Sequence, residues 1–253
     1  MQLTIQQHLQ IADHVFQMRL QGDTREIKKA GQFVQVQLPD FYLRRPISVC
    51  DFIAKEDGML TLVYKVVGKG TEAMSKMPVG TKLDVLMGLG NGYDTTDNLL
   101  CKQSQFPLLV GGGVGVPPLY ALCKSLITQR KEPTVCLGFN TKEDVFYKEA
   151  FEALGVKVLI NTVDGSMGEK GFVTDSIKNQ KNKYDYIYTC GPEPMLKAVH
   201  SLVTEQGVSG QYSFEERMAC GFGACMGCSC KTKYGNKRIC KEGPVLFSEE
   251  IQW

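Results

Sequence analysis

The sequence has few of the features that mark nucleic-acid-binding or secreted proteins. Its 29 basic and 27 acidic residues are interspersed and leave a formal net charge of only +2, so the basic stripe expected of a nucleic-acid-binding protein is missing. The N-terminal segment is too polar for the apolar part of a secretory signal. The chain contains no internal repeat and no low-complexity segment, and its 43% hydrophobic and 22% charged residues are typical of a soluble globular protein.

Long hydrophobic runs are also lacking. The longest stretch without a charge lies between Lys102 and Lys124, but it contains Pro107, Pro117 and Pro118. A membrane-spanning helix needs about 20 predominantly apolar residues in unbroken helix. We therefore expect a strand, a glycine loop and a helix here, in a soluble cytoplasmic protein.

Residues 1–97 are predicted to form an antiparallel β-barrel. Short runs with a two-residue hydrophobic period are separated by turn signals such as Glu56-Asp57-Gly58, and several short strands at this spacing are typical of a barrel or sandwich. The predicted strands are Phe16–Leu20, Val34–Leu38, Ile47–Ile53, Leu60–Val67 and Lys82–Met87.

Residues 98–210 are predicted to form an α/β domain with a five-stranded parallel sheet. Apolar runs alternate with helical patterns, which is typical of βαβ units with helices on both faces. Such sheets bind ligands at the carboxyl ends of their strands. The predicted strands are Leu108–Val110, Thr134–Gly138, Val156–Ile160 and Tyr184–Thr189, and the predicted helices are Pro118–Gln129, Glu143–Leu154, Phe172–Asn179 and Pro194–Glu205.

Residues 211–253 are predicted to be a small C-terminal metal-binding subdomain. Five of the ten cysteines fall between Cys220 and Cys240, a clustering that favours a metal site in a reducing cytosol over a disulfide framework. A segment this short cannot build a core alone, so a metal would supply much of its folding energy.

The cysteine spacing favours a [2Fe–2S] cluster. Four residues separate Cys220 from Cys225, two separate Cys225 from Cys228, and eleven separate Cys228 from Cys240. The first two gaps are those of plant-type [2Fe–2S] proteins. A structural zinc site is the alternative, although such sites favour two separate cysteine pairs. Cys230 is predicted not to be a ligand.

A glycine-rich loop is predicted to bind a dinucleotide. Gly111, Gly112, Gly113 and Gly115 lie between a strand and a helix, where missing side chains let a pyrophosphate approach the backbone and the helix N-terminus favours its charge. The loop departs from G-x-G-x-x-G, and a loop that merely turns tightly is the alternative.

The turn Cys190-Gly191-Pro192 follows the last predicted parallel strand. This location, at the carboxyl end of a strand, is where a nicotinamide ring is expected. The alternative is a buried thiol in front of a helix that starts with proline.

Arg45-Pro46-Ile47-Ser48 begins a predicted barrel strand. An arginine suits a flavin phosphate because its guanidinium forms two parallel hydrogen bonds, but for the segment alone a solvated pair, Arg44 and Arg45, is the better interpretation. Downstream, Gly68-Lys69-Gly70-Thr71 is a candidate helix start that faces a second phosphate.

Together, the barrel with R-P-I-S, the α/β domain with GGGVGVPP and CGP, and the C-terminal cysteine loop resemble the ferredoxin–NAD(P)+ reductase superfamily. More narrowly, EERMACGFGACMGCSC with RRPIS and YKVVGKGT resembles the electron-transfer subunits of class 1B dihydroorotate dehydrogenases. The resemblance covers the whole chain.

The resemblance implies FAD in the barrel cleft, NAD(H) in the second domain and a [2Fe–2S] cluster in the tail. By position it implies FAD contacts from Arg45, Pro46, Ile47, Ser48, Val63, Tyr64, Lys65, Gly70 and Thr71, and cluster ligands Cys220, Cys225, Cys228 and Cys240.

The implied function is electron transfer between NAD(H) and a partner. The partner is an FMN-containing catalytic subunit that oxidises dihydroorotate in pyrimidine synthesis, in a heterotetramer. No protein catalytic residue is expected, since none of the histidines His8, His14 and His200 lies near a motif in the sequence. The alternatives are a reductase serving an oxygenase, hydrogenase or ferredoxin, and a non-catalytic zinc module.

Overall fold

The computed structural model describes residues 1–180 and 183–253. Its N-terminal part is a closed barrel of six antiparallel strands in the order β1-β2-β5-β4-β3-β6. The barrel elements are β1 (Gln2–Ala12), β2 (Val15–Gly22), β3 (Phe33–Val36), β4 (Arg45–Ile53), β5 (Gly58–Lys65), α1 (Lys69–Ser75) and β6 (Lys82–Leu89).

The barrel class is confirmed, and β1 is the strand that the sequence pattern does not predict. Leu3 and Ile5 of β1 point into the barrel core, but its pairing with β2 shifts register between Ile5 and Gln7 and between Gln10 and Ala12. Each shift interrupts the two-residue alternation on which strand prediction depends.

The second part is a twisted sheet in the order β10-β9-β8-β7-β11-β12-β15. The elements in chain order are α2 (Leu99–Gln103), β7 (Pro107–Gly112), α3 (Pro117–Thr128), β8 (Thr134–Phe139), α4 (Lys148–Glu152), β9 (Lys157–Thr162), β10 (Glu169–Lys170), α5 (Val173–Asn179), β11 (Tyr186–Cys190), α6 (Glu193–Glu205), β12 (Gly210–Ser213), β13 (Ser229–Thr232), β14 (Gly235–Arg238) and β15 (Val245–Phe247).

The parallel sheet is confirmed and is larger than predicted. Strands β7, β8, β9, β11 and β12 form the five-stranded parallel part, which the two-residue β10 extends at one edge. At the other edge β15 pairs antiparallel with β12. The cysteine-rich tail is therefore attached to the sheet through main-chain hydrogen bonds.

The predicted helix over 143–154 is confirmed only as the shorter α4, Lys148–Glu152. A 3₁₀ turn covers Lys142–Asp144, and α4 starts only at Lys148, after Tyr147 in a left-handed conformation with φ 66°. Burial explains the break. Phe146 packs edge-on against Phe139 with ring centroids 5.4 Å apart, and the Tyr147 hydroxyl donates to Gln17 of the barrel at 2.7 Å. These contacts override helix propensity.

The strand order creates a switch point between β7 and β11. From β7 the chain moves outward through β8 and β9, then returns to place β11 on the other side of β7. A crevice opens at such a reversal, beyond the carboxyl ends of the two strands. Among the described residues, no helix is both long enough and apolar enough to cross a membrane.

Candidate functional site

The glycine loop and the Cys-Gly-Pro turn meet at the switch point. Gly111 of β7 pairs with Cys190 of β11, so the two motifs lie side by side although about 80 residues separate them in the sequence. A Cβ at Gly115 would lie 2.2 Å from the Cys190 carbonyl oxygen, and one at Gly112 would lie 2.6 Å from Met195 Sδ. Glycine is therefore required at position 115, where the neighbour is a backbone oxygen, whereas at position 112 the neighbour is the end of a flexible side chain.

Gly191 makes a similar close contact, because a Cβ there would lie 2.5 Å from Met195 Cε. Gly113 differs from these positions. It has a positive φ of 51°, and a Cβ built on it would meet nothing within 4 Å. Its missing side chain leaves open space in front of the loop, as a bound pyrophosphate would need.

A cavity of about 480 Å³ lies in front of this loop, between the sheet and the barrel. Gly112, Gly113 and Pro192 line it from the switch point, and Val15 and Lys65 line it from the barrel. Cavities of this size and location hold nucleotide-sized ligands. The barrel and the dinucleotide loop therefore share one cleft.

Lys65 also forms an ion pair across the cleft. Its Nζ lies 3.7 Å from Asp144 Oδ1, and both residues line the cavity. The pair joins the end of β5 to the loop after β8.

Cys190 is half-buried and lies beside this cleft rather than in it. Desolvation raises its pKa to about 12, although a hydrogen bond with Ser213 opposes the shift. Cys190 is not among the residues that line the cavity. A neutral thiol in this position is inert as a nucleophile, so the structure gives Cys190 a packing role, and its proximity to a nicotinamide stays a prediction.

Arg45 lies over the start of α1. A Cβ at Gly70 would lie 2.1 Å from Arg45 Nε, and the guanidinium carbon lies 4.9 Å from the centre of the Phe41 ring. The Thr71 hydroxyl caps the turn, accepting from the Val67 amide at 3.0 Å. Two of the segments implied to bind FAD are thus in contact.

Arg44 and Arg45 have different partners. Arg44 Nη2 donates to Asp84 Oδ2 at 2.8 Å, and this bond lowers the Asp84 pKa. Among the described residues, Arg45 forms no ion pair with a carboxylate. Its charge is therefore available to an anionic ligand.

The other predicted flavin residues lie on the two neighbouring strands β4 and β5. Pro46 is exposed, Ile47 and Ser48 are half-buried, and Val63 and Tyr64 are buried. The statement that no histidine lies near a motif is wrong in three dimensions, because His8 Nε2 lies 2.8 Å from the Tyr64 hydroxyl. No sequence signal could have shown this contact, since β1 and β5 are joined only through β2.

The four predicted ligand cysteines fall into two pairs. The Cys220 thiol interacts with that of Cys225, and the Cys240 thiol interacts with that of Cys228. Within the described part of the chain, no three His, Cys, Asp or Glu side chains are gathered around a single point that could hold one metal ion. Four neighbouring thiols are the donor set of a [2Fe–2S] cluster, in which each iron takes two cysteines.

The two pairs also have opposite electrostatic environments. At Cys220 desolvation raises the pKa, but hydrogen bonds from the backbone amides of Cys225, Phe222 and Ala224 outweigh it and lower the pKa to about 6. Desolvation, followed by the adjacent Cys228 thiol, raises the pKa of Cys240 to about 12. A bound metal cation would offset the unfavourable effect of the Cys228 thiol on a Cys240 thiolate, because metal coordination deprotonates thiols.

Cys230 is the fifth cysteine of the loop and packs against the apolar cluster that contains Cys228 and Cys240. It belongs to β13, is half-buried, and interacts with the Lys231 carbonyl oxygen at 3.5 Å. Burial, followed by the charges of Glu216 and Glu193, raises its pKa. A raised pKa does not separate Cys230 from the predicted ligand Cys240, so its exclusion as a ligand stays a prediction from the spacing.

Two substitutions separate the packing and binding roles of the glycine loop. In Gly115→Ala the new methyl group would collide with the Cys190 carbonyl oxygen, so we expect a destabilisation of about 2 kcal/mol and a fall in Tm of roughly 4–8 °C. In Gly113→Asn the left-handed backbone is tolerated, but the side chain enters the cleft. We expect a near-normal Tm and a roughly tenfold higher KM for NADH, as one lost charged hydrogen bond would cause.

Thermal unfolding and NADH kinetics with ferricyanide as acceptor distinguish these two cases. A Gly113→Asn variant with an unchanged KM would contradict dinucleotide binding at this loop.

Two families match this chain. Residues 215–252 match the iron–sulfur cluster binding domain of dihydroorotate dehydrogenase B, and residues 109–201 match the oxidoreductase NAD-binding domain. The first range contains all four paired cysteines, and the second contains the glycine loop and the Cys-Gly-Pro turn.

Relatives of the same kind align over nearly the whole chain. The electron transfer subunit of dihydroorotate dehydrogenase B (NAD(+)) from Fusobacterium nucleatum is 41% identical, over 98% of this chain and 97% of the relative. The subunit of the same name from Bacillus pumilus is 42% identical, over 98% and 96%.

Solved structures show the same fold. A chain of the NADH-dependent reduced ferredoxin–NADP oxidoreductase superposes with a TM-score of 0.88 and 31% identity, over 99% of this chain and 90% of that chain. Phthalate dioxygenase reductase superposes with a TM-score of 0.64 at 19% identity, over 81% and 64%, a likeness of fold alone. By the identity and coverage of its relatives, the chain belongs to the family of dihydroorotate dehydrogenase B (NAD(+)) electron transfer subunits, within the ferredoxin–NAD(P)+ reductase superfamily.

Proposed function

We propose that this protein carries electrons between NAD(H) and a catalytic dihydroorotate dehydrogenase subunit, through FAD and a [2Fe–2S] cluster. The observation that carries the proposal is the arrangement of the three sites. The barrel and the dinucleotide loop share one cleft, and the cysteine loop contacts β3, the neighbour of the strand that starts with Arg45. When bound, FAD and the cluster supply the conversion between hydride and single-electron transfer.

NAD(H) binds, in this proposal, in the cleft at the switch point. Gly111, Gly112, Gly113 and Gly115 let the pyrophosphate approach the backbone. Gly191 and Pro192 line the nicotinamide end beside Cys190. The Lys65–Asp144 ion pair holds the barrel against this end of the sheet and helps to exclude water from the hydride path.

FAD lies along β4 and β5 of the barrel. Arg45 binds the pyrophosphate together with the Gly70-Thr71 turn that it contacts. Pro46, Ile47 and Ser48 are assigned to the ring and ribitol, and Val63, Tyr64 and Lys65 to the other edge. His8 orients the Tyr64 hydroxyl.

The cluster ligands are Cys220 and Cys225 for one iron, and Cys228 and Cys240 for the other. The first pair lies nearer the surface, since Cys225 is exposed whereas Cys228 and Cys240 are buried. The exposed pair is therefore assigned to the side from which electrons pass to the partner.

With its partner the protein completes a balanced reaction. Dihydroorotate loses two electrons and two protons to become orotate in the catalytic subunit, which carries FMN. NAD+ gains both electrons and one proton as a hydride in this chain, and the second proton goes to solvent. We infer a heterotetramer of two subunits of each kind, in the cytoplasm, where reducing conditions keep thiols available as ligands.

A second candidate is a reductase that serves another redox partner. The superposition with the ferredoxin–NADP oxidoreductase chain, at a TM-score of 0.88 and 31% identity, favours it specifically. The two functions share every site in this chain and differ only in the partner that accepts electrons at the cysteine loop.

An anaerobic visible spectrum tests the proposal first. We expect flavin bands with an iron–sulfur shoulder, and we expect NADH to bleach them.

A second test is the oxidation of dihydroorotate. We expect no oxidation by the isolated protein, because its cleft is assigned to NAD(H), and we expect oxidation once the catalytic subunit is added. Dihydroorotate turnover by the isolated chain would contradict the proposal, and a colourless protein containing zinc would refute it.

A further inference from the structure

Gln35, in the middle of β3, is a fully buried polar side chain without a partner. Its relative exposure is 0%, and neither Nε2 nor Oε1 has a hydrogen-bond partner among the residues that the structure describes. Gln211 is buried to the same extent, yet it donates to the Asp94 carbonyl oxygen at 2.7 Å and accepts from the Asp94 amide at 2.8 Å. Buried amides are normally satisfied in this way, so the exception at Gln35 calls for a ligand.

The Gln35 side chain points out of the barrel toward the cysteine loop. Successive residues of a strand face opposite sides, and Val34 and Val36 belong to the barrel core. Phe33, on the same face as Gln35, packs in the apolar cluster that contains Cys228 and Cys240.

The carboxamide contacts the loop directly after its first predicted ligand. Gly221 has a left-handed φ of 77°, and a Cβ there would lie 2.1 Å from Gln35 Nε2. The sulfur of the preceding Cys220 already accepts a hydrogen bond from the Ala224 amide at 3.2 Å. The unpaired donor therefore lies against the residue that follows Cys220, in a loop whose backbone N–H groups already donate to the sulfur of that predicted ligand.

We propose that the buried Gln35 carboxamide donates a hydrogen bond to a sulfur atom of the iron–sulfur cluster held by the 220–240 loop, and thereby raises the reduction potential of that cluster. The inference rests on the proposed function. Reduction adds negative charge to the cluster, and hydrogen bonds to its sulfurs stabilise that charge. Because Gln35 pairs with Pro46 in the ladder, the same residue ties the proposed flavin strand to the cluster loop as a positioning residue.

Gln35→Met tests the proposal by potentiometry on the full-length protein with both cofactors bound. Methionine keeps the length and volume of the side chain but cannot donate. We expect the one-electron equilibrium of the cluster to shift roughly tenfold toward the oxidised form, a potential about 59 mV lower, and the FAD potential to stay unchanged.

Gln37→Met is the matched control. It removes the same group two residues along the chain, where Nε2 donates to the Leu38 and Phe41 carbonyl oxygens at 3.3 Å each. We expect it to leave both potentials as in the wild type. An unchanged cluster potential in Gln35→Met would overturn the proposal, and so would a shift confined to FAD, which would assign Gln35 to the flavin.

A second measurement needs no stable variant. In wild-type protein labelled with ¹⁵N in the glutamine side chains, pulsed electron paramagnetic resonance of the NADH-reduced cluster is expected to detect a coupled amide nitrogen. Absence of this coupling in iron-loaded protein would overturn the role of Gln35 alone. A wild-type protein that binds no iron would overturn the proposed function as well, so the two failures are distinguishable.

Discussion

Cys225→Ala is expected to abolish the iron–sulfur signal of the protein while leaving the reduction of its flavin by NADH intact. Cys225 is the exposed member of the four paired thiols, so its removal disturbs packing less than removal of the buried Cys228 or Cys240. One iron would lose one of its two thiolate ligands. Soft thiolates are what retain iron in such clusters.

Iron content, the paramagnetic resonance spectrum and two activities measure the effect. We expect the iron content of Cys225→Ala to approach zero. We also expect the rate of the dihydroorotate-to-NAD+ reaction with the catalytic subunit to fall by roughly 100-fold or more, because loss of a ligand costs at least as much as loss of a residue that hydrogen-bonds to a ligand. NADH–ferricyanide activity, which needs only the flavin, is expected to stay near the wild-type rate.

Cys230→Ser is the matched control for this experiment. Cys230 lies two residues after Cys228 in the sequence, on β13, and its thiol interacts with the Lys231 carbonyl oxygen. We expect full iron content and both activities to be retained. Loss of iron from Cys230→Ser, or its retention in Cys225→Ala, would contradict the assigned ligand set.

Much of this arrangement could be predicted from the sequence, because local patterns encode it. The two-residue period of Val34–Leu38 predicts a strand with Val34 and Val36 on one face, and both residues lie in the barrel core. Gly111–Pro118 combines glycines with a proline-started helix, and the structure has β7 and α3 on either side of the loop. The cysteine spacing is equally local. Each of these signals reflects constraints within a few residues of the chain.

The features that the sequence does not predict have a common cause, because each depends on a contact between residues that are distant in the sequence. The helix expected over 143–154 is broken by burial of Phe146 and by the bond from Tyr147 to Gln17 in the barrel. His8 meets Tyr64 across β2, which pairs with β1 on one side and with β5 on the other. Gln35 and Gly221 are 186 residues apart, by subtraction of their positions in the sequence, and touch only because the tail folds back over β3. Local periodicity carries no information about any of these pairs.

Arg45→Ala is expected to produce a protein that folds but loses FAD on dilution. The Arg45 guanidinium lies over Phe41 and against Gly70, and within the described chain it forms no ion pair with a carboxylate. A bidentate arginine–phosphate contact consists of two charge-assisted hydrogen bonds. Its loss would cost about 2–3 kcal/mol of FAD binding, which corresponds to a roughly 30- to 150-fold higher Kd.

Arg44→Ala is the matched control, because the adjacent arginine carries the same charge but donates to Asp84. The substitution would remove a partly exposed ion pair of the barrel and lower the free energy of unfolding by about 1 kcal/mol or less. We expect the Kd for FAD to stay within about twofold of the wild-type value. Fluorescence titration of the deflavinated variants with FAD measures both constants. If the two substitutions weaken FAD binding equally, the effect comes from net charge alone, and the assignment of Arg45 to the flavin phosphate is wrong. If only Arg45→Ala weakens it, the geometry around Gly70 is what selects one arginine of the pair.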